Sequence, residues 1–163
     1  MSSTAERVLS SEELLTIGKG LLAEGKEIKM RMGGHSMFPF LLPGDVASII
    51  SKPISNLCVG DVVVFDRGDR WVAHRLIRME DTDEGVRYIT QGDSCLRMDI
   101  PFGNEHLMGH VTAVFRNGHV IPVQRLRPCF LRLARPAARI YLTVKALSVR
   151  CLRKIRSGGL SVL

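Results

Sequence analysis

The sequence predicts a mainly β protein: an antiparallel, barrel-like β domain with a short helix before it and amphipathic helices after it. Three observations carry that expectation. Short segments rich in Val, Ile, Phe and Tyr recur at roughly 8–12-residue spacing between Glu27 and Val123. Gly-Asp pairs at 44–45, 60–61, 68–69 and 92–93, with Asn117-Gly118, supply turn chemistry between them. Beyond Arg125 the apolar period changes from that of a strand to that of a helix.

The elements follow in order. Ser10-Ser11-Glu12-Glu13 is a capping-box signature that opens a short amphipathic helix reaching about Leu22. Strands are expected over Glu27–Met32, Asp45–Ile50, Asp61–Phe65, Trp71–Met79, Val86–Gln91, Met108–Phe115 and His119–Val123. Asp81 to Gly85 is acidic and reads as a solvated hairpin loop. Pro128 and Pro136 bracket a short helical piece, and Ala137 to about Arg156 forms a longer helix. In that helix Ile140, Val144, Leu147, Cys151 and Ile155 share one face, with Arg139, Lys145, Arg150, Arg153, Lys154 and Arg156 on the other side. The chain therefore divides into an N-terminal helix (1–26), a β domain (27–124) and a basic helical tail (125–163).

At 163 residues and 45% hydrophobic content, the chain has enough apolar material for one core. Its net charge of +7 is uneven. No acidic residue follows Glu105, whereas 11 Lys and Arg do, and the preceding part holds 12 basic against 16 acidic residues. Body and tail are thus expected to be different structural units. The four cysteines (58, 95, 129, 151) form no Cys-x-x-Cys pair, and no secretory signal precedes them. Free thiols and a cytoplasmic location follow, with attachment to a membrane surface open through the tail. No metal-ligand spacing is present, so no cofactor or metal is expected. The uncharged stretches of the tail, five residues at most over 137–156, are too short to span a bilayer.

The most informative stretch is Gly34-His35-Ser36-Met37-Phe38-Pro39-Phe40-Leu41-Leu42-Pro43-Gly44-Asp45. Ser36 is followed by His74 in Ala73-His74-Arg75-Leu76, and by Asp93 and Asp99 in Gln91-Gly92-Asp93-Ser94-Cys95-Leu96-Arg97-Met98-Asp99. An alcohol is a poor nucleophile until an imidazole takes its proton, and a carboxylate fixes the imidazole tautomer. Strand alternation places His74 on one face with Val72 and Leu76, and Arg75 on the other. Aliphatic neighbours desolvate a histidine and favour the neutral form that a base needs. The alternative is a core histidine satisfied by a backbone carbonyl. Asp93, directly after the glycine turn that ends a strand, is the favoured orienter of His74. Both aspartates could converge on the same imidazole, or one of them could instead pair with a cation such as Arg75 or Arg97.

Five boxes in order, Gly34–Pro39 with Gly44-Asp45, Val59–Phe65, Ala73–Leu76, Gln91–Asp93 with Asp99, and Met108–Val111, resemble the signal peptidase I family of serine proteases. The resemblance covers about residues 30 to 115. It is closest to the endoplasmic-reticulum, archaeal and spore-former branch, which uses histidine where most bacterial members use lysine. The lysine census agrees, since none lies between Lys52 and Lys145. The resemblance implies a signal-peptidase or repressor-peptidase β fold, with Ser36 as nucleophile, His74 as general base, Asp93 and Asp99 as acidic support, and the Ser36 amide in the oxyanion hole. It also implies a peptide or protein substrate, bound along a strand edge and cut after small residues. The sequence departs from the family at Gly34, where a hydroxyl residue is common, and at Ser94-Cys95, where two asparagines are usual. It also shows no transmembrane anchor ahead of the serine, so the expected substrate is a leader or precursor peptide met from the cytoplasmic side.

Two other functions fit less well. A self-cleaving repressor peptidase needs a Ser–Lys dyad and an N-terminal DNA-binding domain, and neither is legible here. A non-catalytic or regulatory protein of the same fold would use the basic tail to bind anionic lipid or nucleic acid. Nucleic acid is the weaker partner, because Tyr141 is the one aromatic residue of the long tail helix available for stacking on bases. The oligomeric state has no signature in the sequence.

Overall fold

The structure is a computed structural model and describes residues 11–51, 56–123, 125–126 and 135–147. Among them, helix α1 (Ser11–Ala23) precedes β1 (Ile28–Arg31), β2 (Val46–Ile50), β3 (Val62–Asp66), β4 (Trp71–Thr82), β5 (Gly85–Gln91), β6 (Leu107–Arg116) and β7 (His119–Ile121). A 3-10 turn over Asn104–His106 leads into β6, and helix α2 occupies 135–147. Each strand expected from the alternation is present, with ends displaced by at most a few residues.

The seven strands form one antiparallel sheet in the order β1-β2-β6-β3-β4-β5, with β7 also pairing β6. The protein is mainly β, but the sheet is not closed into the barrel-like form expected. β1 and β5 are the ends of the strand order and do not pair with each other. Strand number alone does not decide closure, which also needs matching tilt and stagger.

Both faces of the sheet centre are covered, so β3 is buried almost throughout. On one face Leu22, Met37, Leu41, Ala47, Ile49, Val62, Val64, Val111 and Val114 form the main core. On the other, Leu57, Val63, Leu76 and Tyr88 form a second cluster, extended by Phe102 stacked on Phe65 at 4.3 Å between ring centres. Leu22 brings α1 into the main core, Gly18 meets the Trp71 ring, and Lys19 pairs with Asp66 at 2.5 Å. The N-terminal helix is therefore part of the β body.

The described part of the tail stripe is not packed on the β domain. In α2, Arg135 and Ala138 are buried and Leu142 is half-buried, while Ile140, Val144 and Leu147 are 59–65% exposed. At about 100° per residue the two sets lie on opposite sides of the helix. Tyr141 stacks on Phe38 at 5.2 Å, which seats α2 beside the Ser36 loop. Cys151, Ile155 and the bracketed piece after Pro128 lie outside the described residues, as does the start of the capping box.

Two features of the sheet position the site. β4 pairs β3 over Trp71–Arg75, but its pairing with β5 begins only at Arg75. Among the described strands, 71–74 thus has a neighbour on one side only. β1 pairs β2 alone and leaves its other edge open.

Candidate active site

The loop from Met32 to Asp45 is held from three sides. Met37 and Leu41 are buried in the main core and anchor its middle. Asp45 accepts from the Leu42 amide at 2.8 Å and from Arg116 through both oxygens at 2.8 Å, and Arg116 also donates to the Phe40 carbonyl at 3.1 Å. The Arg116 hydrogen bonds hold the Asp45 carboxyl below the usual carboxylate range against its own burial. Gly34 adopts φ +69°, a left-handed turn into Ser36 that a residue with a Cβ adopts at a cost. That turn is the physical reason for glycine at this position.

Ser94 fixes the Ser36 end of the loop. Its amide donates to the Ser36 carbonyl at 2.9 Å, and its hydroxyl reaches the carbonyls of His35 (2.7 Å) and Ser36 (3.1 Å). Ser94 thereby tethers the 92–95 turn to the Ser36 loop. Gly92 lies against the same spot. A Cβ on it would stand 2.6 Å from the Ser36 carbonyl oxygen and 3.1 Å from His74 Nε2. Only glycine allows the 92–95 turn, the Ser36 loop and the His74 ring to close this tightly.

His74 is buried, with Val63 opposite it across the strand pair and the Phe65 ring edge-on at 6.1 Å. Its Nδ1 is 2.6 Å from Asp99 Oδ2, which also accepts from the Thr90 hydroxyl at 2.8 Å. Asp99 Oδ1 accepts from Arg67 at 3.0 Å. Burial by itself would raise the Asp99 carboxyl, but His74, Thr90 and Arg67 outweigh it, and the net shift is downward. Asp99 is therefore ionised at neutral pH, and in the neutral imidazole it holds the proton on Nδ1, which leaves Nε2 as the acceptor on the Gly92 side. This is the tautomer a general base requires.

Asp93 plays a different part. It is buried and bonded bidentately by Arg75, Nε to Oδ1 at 2.8 Å and Nη2 to Oδ2 at 2.7 Å, while Nη1 of the same arginine donates to the Gly60 carbonyl at 2.7 Å. The favoured assignment of Asp93 as orienter is corrected: Asp99 holds His74, and Asp93 neutralises the arginine on the opposite face of β4. The cause is the path of the loop, which turns back so that the Asp99 amide donates to the Thr90 carbonyl at 2.9 Å.

Half-buried Ser36, His74 and Asp99 all line one cleft of about 560 Å³. Its walls include Met30–Gly34 from the edge of β1 and Trp71–His74 from the unpaired part of β4. Cys95 lines it too, but burial, with the Asp99 charge adding, pushes its thiol above the ordinary range. It is protonated at neutral pH, the unreactive form of a thiol. Among the described residues no group of His, Cys, Asp and Glu gathers as a metal site, and no helix is long and apolar enough to cross a membrane. Nothing in the sequence marks Thr90 or Arg67, and Gly92 and Ser94 stand out there only as a turn glycine and as a departure from the resembled pattern. No family model matches the chain, and no curated protein matches it significantly.

Proposed function

We propose that the protein is a serine endopeptidase of the signal peptidase I type, acting through Ser36, His74 and Asp99 on an extended peptide. The observation that carries this reading is the buried His74–Asp99 pair, whose geometry leaves Nε2 as proton acceptor in the cleft that Ser36 lines. Peptide backbone adds between the open edges of β1 and of residues 71–74. Ser36 Oγ attacks the scissile carbonyl as Nε2 takes its proton. The Ser36 amide stabilises the oxyanion, and the imidazolium, held by Asp99, then protonates the leaving amine. Water, deprotonated by the same nitrogen, releases the acyl group and restores the serine. The substrate is a leader or precursor peptide. Ser36→Ala abolishes cleavage of an unbiased peptide library and shifts stability by about 1 kcal/mol or less, since a loop serine exchanges little packing. Retained cleavage, followed by mass spectrometry of the products, contradicts the assignment.

The partner surface is an anionic bilayer, engaged by α2. This rests on the exposed Ile140, Val144 and Leu147 face and on a chain that carries 11 cations and no acid beyond Glu105. An apolar helix face with cations to its sides is the pattern of an interfacial helix, each cation contributing on the order of 1 kcal/mol near anionic lipid. Sedimentation is expected with anionic and not with neutral vesicles, lost in high salt and on changing Ile140, Val144 and Leu147 together to Ser. Absence of binding to anionic vesicles, or binding indifferent to that triple change, contradicts it.

A further inference from the structure

We infer that the cleft selects peptides bearing acidic side chains beside the scissile bond, through Arg31 on one wall and Arg70 on the other. The inference rests on the peptidase reading of the same cleft.

The lining holds three arginines and a single carboxylate, Asp99, which His74, Thr90 and Arg67 already engage. Arg31 ends the open edge strand, and among the described residues its hydrogen bond is one long contact of 3.4 Å to the Gly44 carbonyl. Arg70 lies in the β3–β4 turn with Asp69 at 3.8 Å, both about two-thirds exposed or more, a pair too solvated to hold a guanidinium in place. The other carboxylate of that turn, Asp66, is taken by Lys19 and the Gly68 amide. Two guanidiniums therefore flank the cleft with their donor forks largely unused, and that fork is the group that grips a carboxylate bidentately.

The charge is a property of the cleft and does not simply follow the protein's overall +7. Up to Glu105 the chain is net acidic, 16 Asp and Glu against 12 Lys and Arg, and the cationic excess lies after it. Arginines are thus concentrated where the peptide would lie, on a body of the opposite sign. Met30, Met32, Met37, Leu41 and Trp71 line the same space. Apolar walls strengthen the attraction between a guanidinium and a carboxylate relative to open water.

The test is binding of fluorescent peptides to the full chain carrying Ser36→Ala, so that cleavage plays no part. Three extended peptides of equal length differ only in flanking Glu, Gln or Lys, and anisotropy is read at low and high salt. The Glu peptide is expected to bind at least tenfold more tightly than the Gln peptide and the Lys peptide most weakly. The difference should shrink with salt and vanish in Arg31→Gln/Arg70→Gln. Equal binding of all three peptides, or a preference that survives the double substitution, overturns the charge selection and leaves the peptidase reading standing. Binding of none overturns both.

Discussion

Asp99→Asn is expected to lower turnover on the order of 10⁴-fold, the loss typical when a serine-protease orienting carboxylate becomes an amide. Asp99 Oδ2 accepts from His74 Nδ1 and from Thr90, and its net charge favours the imidazolium formed during acyl transfer. An amide that donates to Nδ1 would place the imidazole proton on Nε2, where it blocks proton abstraction. Arg67 and Thr90 keep their places in this variant, so the melting temperature should move by only a few degrees. Turnover within tenfold of wild type, measured on any peptide the protein cleaves, would remove Asp99 from the mechanism.

The neighbouring aspartate should behave in the opposite way. Asp93→Asn takes from buried Arg75 the carboxylate that binds it bidentately, both side chains being at most 1% exposed. Breaking a buried ion pair from one side costs roughly 3–5 kcal/mol, which for a chain of this size lowers the melting temperature by about 10 °C or more. Activity per folded molecule should change much less than in Asp99→Asn. Replacing Arg75 and Asp93 together by apolar residues of similar volume should recover part of the loss. A single Asp93→Asn variant that melts like wild type but is inactive would return Asp93 to the catalytic role.

These two aspartates mark the limit of what the chain discloses by itself. The strands were legible because each carries its alternation locally, and Arg75 and His74 were correctly set on opposite faces of one strand. Which carboxylate meets which of them depends on the course of a loop from Gly92 to Asp99, and no local period encodes it. Arg75, paired across the strands with the core residue Val62 and itself buried, needs a carboxylate, and Asp93 is the nearer of the two in sequence. The Ser94 tether was hidden for a related reason: its acceptors are carbonyls 58 and 59 residues away. The tail shows a third kind of limit. Amphipathic spacing identified the Ile140, Val144 and Leu147 stripe, but a stripe does not say what covers it, and the helix docks through Arg135 and Ala138 instead.

The claim that Ser36, His74 and Asp99 act together is tested most directly by a fluorophosphonate acylating probe followed by mass spectrometry. Activation of a hydroxyl by an adjacent base is what such a probe detects, with no need for the natural substrate. One label per chain on Ser36 is predicted, absent in Ser36→Ala and greatly slowed in both His74→Ala and Asp99→Asn. No label on the wild-type protein, a label on another residue, or labelling of Ser36 that proceeds undiminished without His74 would contradict it.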